Sequence, residues 1–138
     1  MSLTKPRNEM LTSRGVFRGH VSANQTGLST GVWTKCTLDT EDYDLDGWFA
    51  TSRFTPQVAG KYFCFGTATA DGAMQVGMYK NTNAQLIIGT GATAQNPAIA
   101  AGIFDMNGTT DYVELFVYLS TGSVLYAPYS ALQGFRVG

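Results

Sequence analysis

The stretch Phe54-Thr-Pro-Gln-Val-Ala-Gly60-Lys-Tyr62-Phe-Cys-Phe65 places the tightest constraint on what this chain can become. A Pro and a Gly bracket a short turn between two runs that alternate aromatic with small or polar residues, the pattern of strands that bury one face and wet the other. The segment reads as two strands meeting at a corner. Gly60 can take a backbone conformation that a side chain would obstruct, and Gly60 and Tyr62 together mark the corner. Along the strand that follows, Tyr62 and Cys64 point to one face while Phe63 and Phe65 point to the other. A strand with aromatic residues on both faces is expected to be covered on both.

Composition points the same way. A chain of 138 residues suits one domain and can bury about two-thirds of the surface its unfolded form exposes. Only 14% of the residues are charged, against roughly 25% in an average soluble domain. The 16 glycines and the 15 Phe and Tyr residues suggest many strands and tight turns, hence an all-β protein. With 9 basic and 10 acidic residues there is no electrostatic footprint for nucleic acid or for an anionic membrane, and neither is expected as a partner. Met1 to Leu11 lacks the apolar core of a signal peptide, and no later run approaches the roughly 20 apolar residues of a membrane span, so the chain reads as cytosolically made and soluble. Cys36 and Cys64 each sit inside a strand-like run and read as buried free thiols.

Residues 1–15 show little periodicity and read as an extended arm, followed by one globular head over 16–138. Ten strand candidates recur in the head: Val16–Val21, Trp33–Leu38, Trp48–Phe54, Lys61–Ala68, Met74–Lys80, Gln85–Ile88, Ala98–Met106, Tyr112–Leu119, Ser123–Tyr126 and Leu132–Val137. Asp71-Gly72 and Asn107-Gly108 are the strongest hairpin-type pairs. In the longest strand Val113, Leu115, Val117 and Leu119 share one face; Tyr112, Phe116 and Tyr118 line the other, with Glu114 among them. With no amphipathic helix of ten residues or more, this order fits a two-sheet antiparallel jelly-roll sandwich carrying a short extended N-terminal arm.

Phe17, Trp33-Thr-Lys-Cys-Thr-Leu38, Tyr43-Asp44, Trp48 to Phe54, Gly60-x-Tyr62-x-x-Phe65, Asp111-x-Val113-x-Leu115 and Tyr129-Ser-x-Leu-x-Gly-Phe135 together resemble the globular head of complement component one, subcomponent q, and its tumour necrosis factor-like relatives. The resemblance covers about Val16 to Gly138 and is most specific at the Gly60 corner and at the closing Ser130-Ala-Leu-Gln-Gly134-Phe135. It departs at Cys64, where that family usually carries a second aromatic. The resemblance implies a homotrimer assembled through flat aromatic sheet faces, for which Phe63, Phe65, Phe116 and Tyr118 are the interface candidates. Leu3-Thr-Lys-Pro-Arg-Asn-Glu-Met10 is similar to the short leader of many bacteriophage tail-fibre, tailspike and other virion proteins, and Ser22-Ala-Asn-Gln25 followed by Trp33-Thr-Lys35 looks like phage versions of the head.

Catalytic chemistry finds little support. His20 is the one histidine, so neither a multi-histidine zinc site nor a two-histidine mechanism can be built within one chain, and no base is placed to activate a nucleophile. Glu114 is a lone carboxylate, short of an acid and base pair. Asp42-Tyr-Asp44-Leu-Asp46-Gly47 matches the first half of a calcium loop, but Arg53 stands where a bidentate Glu should close the shell. The motif reads as a solvated acidic loop between two strands; a weaker calcium site closed by Asp39, Glu41 or a neighbouring chain is the alternative, and no metal or cofactor is assigned. Gly-Thr-Gly at 89–91 and Gly-Thr-Thr-Asp at 108–111 lack the flanks of a phosphate loop and read as turns. Gln85, Thr93, Asn96, Trp48 and Tyr79 have the residue types of a sugar site, as do ordinary loop and rim residues.

The resulting expectation is a non-enzymatic structural protein on the surface of a phage virion, assembled in the host cytoplasm. It is a trimeric knob that cements or decorates the capsid, its partners the major capsid protein or other virion proteins. Leu3, Met10 and Leu11 would supply apolar anchors and Lys5, Arg7 and Arg14 charge pairing in a capsid-docking arm. The alternative is the receptor-binding tip of a tail fibre, recognising a host surface glycan; some fifteen residues before the head, with no stalk, favour the knob.

Overall fold

A computed structural model describes residues 15–82 and 85–138. Eleven strands follow in chain order: β1 (Phe17–His20), β2 (Trp33–Lys35), β3 (Thr40–Asp44), β4 (Phe49–Ala50), β5 (Arg53–Phe54), β6 (Gly60–Ala68), β7 (Met74–Lys80), β8 (Gln85–Ala92), β9 (Ala98–Met106), β10 (Val113–Leu119) and β11 (Ala131–Arg136). They form two antiparallel sheets, β3-β1-β11-β6-β9 and β4-β5-β10-β7-β8, with β2 also paired to β10. This is the expected jelly-roll sandwich.

Alternation builds the core. Phe17, Tyr62, Cys64, Phe104 and Leu132 of the first sheet meet Phe54, Met78, Val113, Leu115 and Val117 of the second, all essentially inaccessible to solvent. Each aliphatic side chain so buried contributes about 1.5–3 kcal/mol. An aromatic stack ties the sheets together at one end: Phe17 lies 3.9 Å from Phe54 and 5.5 Å from Phe49, and Tyr62 meets Phe54 edge-on at 5.6 Å. Cys36 and Cys64 are buried and unbridged, and burial pushes the Cys64 thiol up to about 12.

The corner carries the chain from one sheet to the other. β5 belongs to the second sheet and β6 to the first, and the Tyr62 hydroxyl donates to the Val58 carbonyl across the turn at 2.7 Å. Gly60 has φ 155°, and a Cβ there would run into the Gly138 carbonyl oxygen and the Arg136 guanidinium.

Several local expectations are corrected. Trp48–Phe54 is not one strand: β4 and β5 pair as a hairpin whose central Thr51 and Ser52 sit at φ 53° and 61°. Asp42 to Gly47 is not simply a loop, because Thr40–Asp44 pairs with β1 as an edge strand. Asp71-Gly72 and Asn107-Gly108 do not close hairpins. Each joins a strand of the first sheet to one of the second, and their side chains cap the crossing: Asn107 Oδ1 accepts the amides of Thr109, Thr110 and Asp111, and Asp71 Oδ1 those of Ser123 and Val124. Gly-Thr-Gly at 89–91 lies inside β8, where a Cβ on Gly89 would strike the Ile99 carbonyl across the narrow join between the sheets. Ser123–Tyr126 forms only isolated bridges, through Leu125 to Gln25 and Ala70.

Candidate functional site

The outer face of the first sheet exposes its hydrophobic residues in register. Phe63 stands opposite Ile103 on β9 and Phe135 on β11, and Phe65 opposite Ala101 and Gln133. Ile103 is 53% exposed, Phe135 47% and Tyr43 43%, although each stands within a strand. The Phe63 and Phe135 rings are 5.6 Å apart, and with Tyr43 and Phe65 they line a shallow depression of about 290 Å³. Lys61 and Asp105, paired at 3.3 Å, close the lower end of the face.

The other end of the same face is polar and concave. Arg18 pairs with Tyr43 across β1 and β3, but the register then slips, so that Gly19 pairs with Glu41. The extra residue is Asp42, and the bulge aims its carboxylate at the guanidinium of Arg18 and at Nδ1 of His20, 3.1 Å away. These three side chains line an open cleft of about 1040 Å³ together with Tyr126, Pro128, Tyr129, Gln95 and Pro97. Nothing in the sequence signals the bulge, so His20 lacked a visible partner until the fold supplied Asp42.

Phe116 and Tyr118 lie elsewhere. They stand on the outer face of the second sheet, where Tyr79 meets Phe116 edge-on at 4.5 Å and Trp33 packs on Tyr79 at 6.0 Å and Tyr118 at 5.6 Å. Glu114 is 4% exposed beside this cluster, paired with Lys35 and, at 3.3 Å, with Arg53, whose guanidinium lies 3.7 Å above the Tyr112 ring. The four interface candidates therefore split between two opposite surfaces. Phe63 and Phe65 share theirs with the exposed Ile103 and Phe135; Phe116 and Tyr118 are partly covered by their neighbours within one chain.

The acidic motif is used up locally. Asp44 accepts the amides of Trp48 and Phe49, Asp46 accepts that of Gly15 at 2.8 Å, and Asp42 serves the cleft wall. The Ser22 hydroxyl and amide, both donating to Asp39, hold its carboxyl below the usual range. Among the described residues no group of three His, Cys, Asp or Glu is placed to hold a metal ion. Of the sugar-type residues, Trp48, Tyr79, Thr93 and Asn96 do not converge, and the Gln85 side chain lies outside what the structure describes. Trp48 packs on Tyr62 at the corner, Tyr79 faces outward from the second sheet, and Thr93 and Asn96 bond to each other at 2.9 Å between β8 and β9. Leu3, Lys5, Arg7, Met10, Leu11 and Arg14 lie outside the described residues.

No protein-family model matches the sequence, and no curated protein matches it. Solved structures do. The globular domain of zebrafish complement 1qA superposes with a TM-score of 0.65 at 16% identity, covering 91% of this chain and 98% of that one. Murine APRIL superposes with a TM-score of 0.68 at 10% identity over 90% of this chain and 99% of its own. The Eiger tumour necrosis factor of S. frugiperda gives 0.58 at 10% identity, over 91% and 94%. At these identities the likeness is one of fold: the chain has the complement-head and tumour necrosis factor jelly roll over almost its whole length.

Proposed function

We propose that the protein is a non-enzymatic structural knob, a homotrimer assembled through the apolar end of the outer face of the β3-β1-β11-β6-β9 sheet, which decorates or cements a phage capsid through its N-terminal arm. The observation that carries the trimer is the row of Phe63, Ile103 and Phe135 with Tyr43 and Phe65 beside it, an apolar surface of the kind that marks an interface. A threefold ring is closed by head-to-tail contacts, so each copy can cover this row with a second surface of its neighbour, like residues meeting only at the axis. The capsid role rests on the leader-like Leu3 to Met10 and on the phage-like Ser22 to Lys35 segment.

A second reading, the receptor-binding tip of a tail fibre, is favoured by the cleft between Asp42 and Tyr129, which has the aromatic and polar walls of a ligand site. Immunogold electron microscopy of virions separates the two. Gold over the heads is the result expected of a decoration knob; gold at the fibre ends would replace that reading with the tip, and virions free of gold would exclude both.

A further inference from the structure

We propose that the cleft at the upper end of the first sheet binds a neutral saccharide, which stacks on Tyr129 and hydrogen-bonds to the Arg18–Asp42–His20 wall. The site is built rather than incidental. Tyr129 is 65% exposed, yet the backbone that carries it is fixed at four points. The Tyr126 amide donates to the Thr69 carbonyl at 2.7 Å, the Ala127 amide to Asn24 Oδ1 at 2.9 Å, the Thr67 hydroxyl to the Tyr129 carbonyl at 3.1 Å, and the Ser130 hydroxyl to the Tyr126 carbonyl at 3.1 Å. An exposed aromatic ring on a rigid backbone costs little conformational entropy to engage.

The polar side of the lining, Arg18, Asp42 and His20, sets the ligand class. Asp42 keeps lone pairs to spare after accepting from Arg18 and His20, and Arg18 keeps further N–H donors, so donors and acceptors stand side by side as vicinal hydroxyls require. Arg18 and Asp42 cancel in charge, which removes the preference for an anion that an unpaired arginine would give. Gln95 adds an amide at the rim, and Pro97 and Pro128 add apolar surface for the ring carbons. The bulge turns Asp42 outward from the edge strand β3, and re-aiming a side chain is one of the things bulges do beside binding sites.

Every wall residue comes from one chain, and Thr67 lies four residues, about 13 Å, along β6 from Phe63. The inference therefore requires the trimer contact to stay at the Phe63 end of the sheet, leaving the cleft open; it is independent of the capsid attachment, and it gives the tip reading a specific site. The test is saturation-transfer NMR on the full chain with four probes at millimolar concentration: maltose, cellobiose, lactose and N,N′-diacetylchitobiose. Saturation of the ring protons of at least one is expected, with the signal reduced at least tenfold in Tyr129→Ala and in Asp42→Asn and unchanged in Phe116→Leu on the opposite face. Gel filtration of each variant checks its assembly independently. Absence of transfer to all four probes, or transfer that survives Tyr129→Ala in a folded variant, overturns the proposal.

Discussion

Tyr62 and Gly60 show how two residues hold a corner by different physics. Tyr62 fills core space under Trp48 and Phe54 and spends its hydroxyl on Val58, so Tyr62→Ala leaves both a cavity and an unpaired carbonyl and should cost about 3–5 kcal/mol. Gly60→Val meets the Gly138 carbonyl instead of a void, and is expected to cost about 1–3 kcal/mol through strain. Urea midpoints measure both, and wild-type values would show that the corner carries no stability. Asp111 works by charge. Burial alone would raise its carboxyl, but hydrogen bonds from Asn81 at 2.6 Å and Lys80 at 3.1 Å, and from the Asn107 amide at 2.9 Å, outweigh burial and hold it below the usual carboxylate range. A carboxyl depressed in the folded state adds stability above its unfolded pKa of about 3.9, and loses it as pH falls through the folded value. Stability measured by urea from neutral pH to pH 2 should fall over that acid window, and the fall should be shallower in Asp111→Ala. That variant should also start about 1–3 kcal/mol lower at neutral pH. Parallel pH profiles for the two proteins would place the acid sensitivity elsewhere.

At the level of elements, the β4–β5 hairpin is the segment most at odds with its sequence. Thr51 and Ser52 occupy left-handed backbone that Asn and Gly adopt more readily, so Thr51→Asn combined with Ser52→Gly should stabilise the fold by about 0.5–1 kcal/mol. The Ala50–Arg53 pairing and the Thr51 carbonyl that receives Lys35 involve backbone that both changes retain. A melting temperature below that of the wild type would show that the turn is held by its side chains. The same mismatch explains why the hairpin was illegible: alternation over Trp48–Phe54 continues straight through a turn made of residues that do not announce one. Asp71-Gly72 and Asn107-Gly108 fail in the opposite sense. They announce turns correctly, but turn chemistry fixes only the local backbone, and which sheet receives the next strand is decided by long-range packing. By contrast Val113, Leu115, Val117 and Leu119 were legible as one buried face because period-two alternation alone separates inside from outside. Alternation cannot say which sheet an outward residue belongs to, and this is why Phe63, Phe65, Phe116 and Tyr118 looked like one surface and are two.

Across the whole molecule, that division makes the assembly testable face by face. If the first sheet forms the trimer contact, Ile103→Glu or Phe135→Glu places an unpaired carboxylate in a desolvated interface, and light scattering should show the trimer falling to monomers with the fold retained. Phe116→Leu on the second sheet should leave the trimer intact; dissociation by that change, with none from Ile103→Glu, would move the contact to the other face. The arm poses a separate question, and the structure refines where to cut it. Gly15 is not part of a loose strap: it is buried, its amide donates to Asp46, and it packs beneath Tyr62 and Phe54. Deleting residues 1–13 spares that anchor, so the melting temperature and the trimer should be unchanged. Capsid attachment should nevertheless fall sharply, since Leu3, Lys5, Arg7, Met10 and Leu11 go with the deletion, and the residual ionic share should weaken further as salt rises. Pelleting undecorated capsids with each form measures this directly. Equal co-sedimentation of the truncated and full-length chains would assign docking to the head, and the apolar row on the first sheet would then have to serve the shell rather than a second copy.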